Sequence, residues 1–319
     1  MDRFTKRALG PLAAFSIAVA PAAATAADLT IGVADWPSAR ATAHLVGAVI
    51  ADRLGLEVDY REGTVAELFA AMDAGEVDVF PEVWLPNHRE FVRTYGEQRR
   101  SIEVVPRGIP AEQGLCTTRY GAEVAGINSV FDLKKPEVAS LLDSNADGRG
   151  EMWIGAPGWE ATRIEKVRAK SYGYDASMQL LEIDERTALA AVDVAVAVER
   201  PIVFYCYEPH HLFQLHDVVR LDEPAHDPTK WNIRSASEPE WLQRSEAASA
   251  YGLSFIHVGY AKSLEETHPE VVALVGNLDL DADVLSEMSY ALVVERQDPD
   301  AFSQAWLAEN ADRIARWFE

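Results

Sequence analysis

Basic side chains are scarce in this sequence. Its 319 residues include 29 lysines and arginines against 51 aspartates and glutamates, so the formal net charge at pH 7 is −22. A chain of this charge repels polyanions, which argues against nucleic acid and anionic lipid as partners. The charge is typical of an acidic surface suited to a salty habitat, and it weakly favours a cationic ligand.

Long apolar runs are rare as well. The one near the N-terminus, LGPLAAFSIAVAPAAATA, follows the basic stretch MDRFTKR and is too short and alanine-rich to span a bilayer comfortably. Ala24 and Ala26 occupy the small-residue positions of an A-x-A cleavage site, which predicts a signal peptide over residues 1–26. No cysteine stands at the cleavage point, so no lipid anchor is expected there. The mature protein is predicted to be exported, most simply into a bacterial periplasm.

Cysteine is limited to Cys116 and Cys206. In an oxidising compartment these two residues could form a disulfide. Cys206 also lies in the apolar segment IVFYCY, where a free thiol is often simply buried. The sequence leaves both states open.

Motifs of common catalytic sites are missing. The chain contains no G-x-S-x-G elbow, no H-E-x-x-H, no P-loop and no C-x-x-C. His210 and His211 follow a predicted strand, but as sequence neighbours they are expected to point apart as solvated loop residues. The sequence shows no pairing of a nucleophile with a general base, so the chain is predicted to bind a ligand rather than to catalyse a reaction.

Strand and helix patterns alternate along the chain, which predicts an α/β fold with mostly parallel strands. The rhythm of LTIGVAD, LEVDYREG and VDVFPEVW restarts after Gly114 with GLCTTRY, MWIGAP, MQLLEID and PIVFYCYEP. Two halves of similar build indicate two lobes that face each other. FIHVGYAKSL reads as a strand that returns to the first lobe. The predicted division is lobe I over residues 27–113 plus 251–319 and lobe II over residues 114–250.

Large aromatic residues stand at the carboxyl ends of four predicted strands. Trp36 and Trp84 belong to the first half, and Trp159 and Tyr207 belong to the second. Tyr205 shares a strand face with Tyr207 because side chains alternate along a strand. Ligands of open α/β sheets bind outside these strand ends, so the aromatics are expected to converge on one cleft.

Aromatic walls suit a quaternary or trimethylated ammonium ion. Such a cation carries a diffuse charge under methyl groups and has no conventional N–H donor. The negative faces of tryptophan and tyrosine rings attract it by roughly 0.5–2 kcal/mol each. A lysine-like ligand would instead call for carboxylates around a point charge.

Several segments together resemble one known family. They are IGVADWPSA, GEVDVFPEVWLPNH, GINSVFDLKKPE, GAPGWEA, FYCYEPHHLFQLHDVVRLDEP and HPEVVALVGNLDLDADVLSEM. In order and spacing they resemble the substrate-binding proteins of ABC transporters for glycine betaine, choline, carnitine and related compatible solutes. The resemblance covers nearly all of the mature chain.

The resemblance implies a bilobal periplasmic-binding-protein fold of type II, in which a two-crossing hinge lets the lobes close like a jaw. It also implies an aromatic cage, here carried over to Trp36, Trp84, Trp159 and Tyr207. The closed form of a monomer would dock on an ABC permease in the inner membrane. Two alternatives remain open, namely a periplasmic ligand sensor for a chemoreceptor and an enzyme that acts on a methylated amine.

Acidic residues beside the cage positions keep the ligand's identity open. Glu82 and Glu160 would accept from a choline hydroxyl or, if protonated, donate to the oxygen of trimethylamine N-oxide. Glycine betaine also remains a candidate, because betaine binders of the family hold the carboxylate with backbone N–H groups after a turn like GAPGWE. Glu160 has a structural alternative as a first-turn residue that complements the helix dipole. Whether Tyr205 or Tyr207 faces the ligand is likewise open.

The segment DSNADGRGE, residues 143–151, resembles the first nine positions of a calcium loop. The predicted ligands of a structural Ca²⁺ are Asp143, Asn145, Asp147, the carbonyl of Arg149 and Glu151. Position 12, normally a bidentate glutamate, is Ile154, so the full EF-hand pattern fails. The alternative is a surface turn between a helix and a strand. No organic cofactor is expected.

Overall fold

The computed structural model describes residues 27–319. The predicted signal peptide over residues 1–26 lies outside these residues. Within the described part, no helix combines the length and the apolar composition that crossing a bilayer requires.

Strands and helices alternate through most of the described chain. The strands are β1 Leu29–Val33, β2 Val58–Glu62, β3 Val79–Leu85, β4 Ile102–Thr118, β5 Gly150–Trp153, β6 Met178–Leu181, β7 Val203–Glu208, β8 Val218–Arg220, β9 Trp231–Asn232, β10 Glu246–Ala247 and β11 Ser254–Ala261. The helices are α1 Pro37–Leu54, α2 Val65–Ala74, α3 Arg89–Phe91, α4 Arg119–Glu123, α5 Pro136–Leu142, α6 Glu160–Tyr172, α7 Glu185–Ala197, α8 Leu212–Leu215, α9 Trp241–Arg244, α10 Leu264–Thr267, α11 Pro269–Asn277, α12 Ala282–Val293, α13 Pro299–Glu309 and α14 Ala311–Ala315.

The main sheet has two parallel halves joined by antiparallel strands. Its order is β2-β1-β3-β11-β4-β7-β5-β6, and β8 also pairs with β4. β1 pairs in parallel with β2 and β3, and β5 pairs in parallel with β6 and β7. The second half does not start with a new strand after Gly114, because β4 is one strand that begins at Ile102 and serves both halves.

The strand register shows where the two halves meet. At the end of β3, Leu85 pairs with Phe255 of β11, which in turn pairs with Pro110 of β4. At the end of β7, Glu208 pairs with Glu112 of β4. The carboxyl ends of both parallel halves therefore face each other across the middle of β4.

A disulfide links two adjacent central strands, β4 and β7. Cys116 of β4 and Cys206 of β7 are bonded, with 5.8 Å between their Cα atoms. In the register, Cys206 stands opposite Gly114 and Cys116 stands opposite Phe204. The structure thus selects the disulfide from the two states that the sequence left open.

Local sequence signals place the two helices that border the cleft in the first half. Pro37 occupies the first turn of α1, where its missing N–H costs no hydrogen bond, and Trp36 precedes it as the N-cap residue. Thr64 and Glu67 form a reciprocal capping box at the start of α2. These fixed helix starts hold the residues at the end of β1 in place.

Candidate ligand-binding site

The facing strand ends enclose one cavity with largely aromatic walls. Its empty volume, including the part open to solvent, is about 370 Å³. The lining residues are Trp36, Val65, Trp84, Asn87, His88, Trp159, Glu160, Ala161, Tyr205 and Tyr207.

The four aromatic residues predicted at strand ends lie together in this cavity. The ring centroids are 6.0 Å apart for Trp36 and Trp159, 5.4 Å for Trp84 and Tyr207, and 6.0 Å for Trp159 and Tyr207. The interplanar angles of these three pairs are 86°, 90° and 79°, so neighbouring rings stand nearly perpendicular to each other. Residues from the first half thus contact residues from the second and form the walls of a box.

Both tyrosines of β7 border the cavity. The hydroxyl of Tyr205 donates to Oε1 of Gln113 at 2.9 Å, and Asn87 donates to the same oxygen at 2.6 Å. The hydroxyl of Tyr207 donates to Oε1 of Glu185 at 2.8 Å. Each phenol is therefore held from outside the cavity, and either ring is available to a ligand.

Glu82 lies behind the aromatic walls, not in the cavity as the sequence predicted. Its side chain is fully buried on β3. Oε2 accepts from the indole nitrogens of Trp36 and Trp84 at 2.5 and 3.4 Å and from Ser38 at 3.0 Å, while Oε1 lies 2.9 Å from the hydroxyl of Thr42. Burial raises the pKa of Glu82, and the hydrogen bonds from Trp36, Thr42, Ser38 and Trp84 oppose that rise.

Glu160 borders the cavity, but its carboxylate is engaged by a neighbour on the same helix. Arg163, one turn further along α6, donates to Oε2 of Glu160 from Nε at 2.8 Å and approaches it with Nη2 at 2.6 Å. The arginine offsets the charge of this carboxylate, while Oε1 of Glu160 accepts no hydrogen bond from the described residues.

The first turn of α6 presents unpaired backbone donors to the cavity. Trp159 is the N-cap residue and offers no side-chain cap, unlike the threonine that caps α2. The N–H groups of residues 160–162 find no acceptor among the described residues. Because a helix N-terminus attracts electronegative atoms, this turn would bind an oxygen of a ligand.

Sequence reasoning missed two carboxylates that hold cage residues. Oδ1 of Asp35 accepts from the indole nitrogen of Trp159 at 2.7 Å, and Glu185 accepts from Tyr207 as described above. Asp35 stands two residues after the end of β1, and Glu185 is the first residue of α7 after β6. The strand-end rule that selected the aromatics would have selected both positions.

The histidines near the site are buried, so the expectation of solvated loop residues for His210 and His211 is wrong. Their rings stack with centroids 4.2 Å apart, and Nε2 of His210 lies 3.3 Å from Oε1 of Glu185. Burial lowers the pKa of His211 to about 3. His88, which lines the cavity, accepts the backbone N–H of Trp84 on Nδ1 at 3.0 Å, and burial lowers its pKa to about 3.

The predicted calcium loop lies before β5, away from the cavity. One oxygen each from Asp143, Asp147 and Glu151 lie within 4.8 Å of one another. Asp143 accepts the backbone N–H groups of Asp147 and Gly148 at 3.2 and 2.8 Å, which closes the loop on itself. The donor set is all oxygen, as Ca²⁺ prefers. Calcium binding at this loop stays a prediction.

Comparisons with known proteins concern nearly the whole described chain. Residues 27–309 match the family described as the substrate binding domain of ABC-type glycine betaine transport systems. The chain is 19% identical over 270 residues to the glycine betaine/proline betaine-binding periplasmic protein of Salmonella typhimurium, an alignment that covers 82% of this chain and 78% of that protein.

Solved structures share the fold. An ABC-transporter choline binding protein in complex with choline has a TM-score of 0.72 at 24% identity, over 90% of this chain and 91% of that chain. Lactococcal OpuAC in its closed-liganded conformation with glycine betaine has a TM-score of 0.70 at 16% identity, over 91% and 99% of the two chains.

Proposed function

The chain belongs to the family of substrate-binding domains of ABC-type glycine betaine transport systems, and from this premise we propose that it binds a small trimethylated ammonium solute in its aromatic cavity. Family membership confirms the prediction of a binding protein rather than an enzyme. The bilobal α/β fold predicted from the sequence is confirmed by the solved structures of the same fold.

The observation that carries the proposal is the set of four rings that meet at nearly right angles around one cavity. Rings from Trp36, Trp84, Trp159 and Tyr207 supply negative faces and apolar surface together. A methylated ammonium ion gains from both properties, whereas an ordinary ammonium would lose its hydrogen bonds to water without replacement. The cavity therefore suits a cation clad in methyl groups.

The candidate ligands are choline, glycine betaine and trimethylamine N-oxide. All three combine a trimethylammonium group with at least one oxygen. The free N–H groups at the start of α6 would donate hydrogen bonds to that oxygen. Arg163 neutralises Glu160, which removes one carboxylate that would otherwise repel the carboxylate of a betaine.

Ligand capture would couple to closure of two lobes, residues 27–113 plus 251–319 and residues 114–250. The cage contains residues from both, so its contacts form fully only when the lobes approach. We expect the closed form, working as a monomer in the periplasm, to deliver the solute to an inner-membrane permease.

Calorimetric titration with choline, glycine betaine, carnitine and trimethylamine N-oxide tests the proposal. Trp84→Ala should weaken binding of the preferred ligand by more than about tenfold, because a wall of the cage and its cation–π contact are lost. Trp231→Ala is the matched control, because Trp231 packs on Tyr251 outside the cavity. Equal affinities for the wild type and Trp84→Ala would contradict the cage.

A further inference from the structure

Each of the four cage aromatics donates its polar hydrogen to a carboxylate. Trp36 and Trp84 donate to Glu82, at 2.5 and 3.4 Å. Trp159 donates to Asp35 at 2.7 Å. Tyr207 donates to Glu185 at 2.8 Å. We call Asp35, Glu82 and Glu185 the carboxylate layer.

The carboxylate layer has no cationic partner of its own. Within the described chain, no lysine or arginine lies within salt-bridge distance of any of its three members, and the only ionisable partner is His210, 3.3 Å from Glu185. Other acids near the cavity are neutralised, as Glu160 is by Arg163 and Glu208 is by Arg220. The carboxylate layer therefore has no lysine or arginine to offset it. Burial raises the pKa of Glu82 and of Asp35, and the hydrogen bonds from the ring N–H groups oppose that rise.

Hydrogen bonding to a carboxylate strengthens the attraction of an aromatic ring for a cation. The acceptor draws the N–H or O–H proton toward itself and leaves the ring richer in electrons, and hydrogen-bonded groups polarise one another in a low-dielectric interior. The carboxylates also attract the cation directly through space, most strongly from buried Glu82 and Glu185, where screening by water is weak. Both effects depend on the net charge of the ligand.

We propose that the carboxylate layer makes the cage select by net charge, so that a monocation such as choline is preferred over its neutral isostere and over a zwitterion such as glycine betaine. The inference rests on the proposed function, because it assigns a charge preference to the same cavity. The three carboxylates act as positioning and polarising residues, since they touch the rings rather than the ligand.

The hydrogen bonds at Glu82 oppose the rise in its pKa that burial causes. Three donors converge on its Oε2, namely the two indole nitrogens and the hydroxyl of Ser38. An ionised carboxylate only accepts, and it can receive several donors at one oxygen. Asp35 adds a solvent-accessible member of the layer, which makes it the safer position for substitution.

The test compares choline with 3,3-dimethylbutan-1-ol, in which carbon replaces the charged nitrogen. Glu82→Gln, Asp35→Asn and Glu185→Gln each keep an acceptor oxygen for the ring donor but remove the charge. Each should weaken choline binding about five- to tenfold and change binding of the neutral alcohol less than about twofold. The preference for choline over glycine betaine should fall in the same variants. Calorimetric titration measures all three ligands.

Glu208→Gln is the matched control. Glu208 follows Tyr207 on the same strand, but Arg220 pairs with it at 2.6 Å, and it does not line the cavity. Its loss should change the affinity for choline less than about twofold, because Arg220 already offsets the charge. An effect equal to that of Glu82→Gln would show a response to overall charge only and would overturn the inference.

Four further outcomes separate the two proposals. If the layer variants weaken choline and the neutral alcohol by the same factor, the carboxylates only support the rings and the inference fails. If none of the variants changes either affinity, it fails as well. If Trp84→Ala weakens binding but the layer variants do not discriminate by charge, the proposed function stands alone. Absence of choline and betaine binding by the wild type would overturn both. Asp35→Asn keeps the test decisive should Glu82→Gln not fold.

Discussion

Tyr207 shows at the scale of one residue how the site is built. Its ring packs edge-on against Trp84 and Trp159, while its hydroxyl is bonded to Glu185 outside the cavity. Burial, with the negative charge of Glu185 as the next cause, raises the pKa of this tyrosine well above its ordinary value, so the phenol stays a donor. The ring can face a cation only because its polar end is satisfied elsewhere.

His88 makes the folded state sensitive to acid. Burial lowers its pKa from 6.5 to about 3, so below pH 6.5 the unfolded chain takes up a proton that the folded chain refuses. The free energy of unfolding should therefore decrease as the pH is lowered. His88 alone should account for about 2 kcal/mol of this decrease between pH 6.5 and pH 5. His211 shifts in the same direction, whereas the raised pKa of buried Glu82 acts oppositely.

Urea unfolding of the wild type and of His88→Gln at pH 7 and pH 5 measures this contribution. For each protein, the free energy of unfolding at pH 5 is subtracted from that at pH 7. The difference between these two changes isolates the contribution of His88, since the other titrating groups are common to both proteins. A variant with the same pH dependence as the wild type would contradict the assignment.

At the scale of single residues, the sequence predicted which aromatics meet but not where the acids point. Trp36, Trp84, Trp159 and Tyr207 follow from one rule about strand ends. Glu82 shares a strand face with Trp84 by alternation, yet its depth behind the ring depends on donors from α1, which is remote in sequence. Long-range hydrogen bonds of this kind leave no local pattern.

At the scale of secondary-structure elements, β4 explains why the boundary between the halves was hard to predict. It runs for 17 residues, from Ile102 to Thr118, and pairs first with β11 and later with β7. The segment contains Pro106, Gly108 and Pro110, which interrupt the strand pattern in the sequence. Strand pairing on both sides stabilises it all the same, so tertiary context overrides local propensity.

The loop between α5 and β5 carries a prediction of its own. If Asp143, Asp147 and Glu151 bind Ca²⁺, a saturating concentration of about one hundred times Kd should stabilise the protein by about 2.7 kcal/mol. Asp143→Ala should abolish the calcium dependence of the melting temperature. Asp59→Asn, an exposed substitution on β2, serves as the control. Equal melting curves for the wild type in calcium and in chelator would contradict a metal at this loop.

At the scale of the whole molecule, the structure has the halves drawn together. Asp35 bonds to Trp159 across the cleft, and Glu90 lies 3.8 Å from Arg163. Trp36 also packs on Trp159 and Trp84 packs on Tyr207, so aromatic contacts join the halves as well. A ligand that touches rings of both halves would add to these contacts, so we expect it to favour the closed form.

Solution scattering tests this dependence. Addition of choline should reduce the radius of gyration of the wild type, because the ligand favours the closed form. The same addition to Trp84→Ala should leave the radius unchanged at a concentration that saturates the wild type. Identical scattering of the wild type with and without ligand would show that closure does not accompany binding.

The bare first turn of α6 gives the ligand a further role. The first N–H groups of a helix are normally capped by a side chain of the same protein. At α6 the acceptor would instead be an oxygen of the captured solute. Release of the solute would remove this acceptor from the N-terminus of α6, and water would take its place. The same three amides would thus gain and lose a hydrogen-bond acceptor in every round of capture and delivery, whichever oxygen the solute carries.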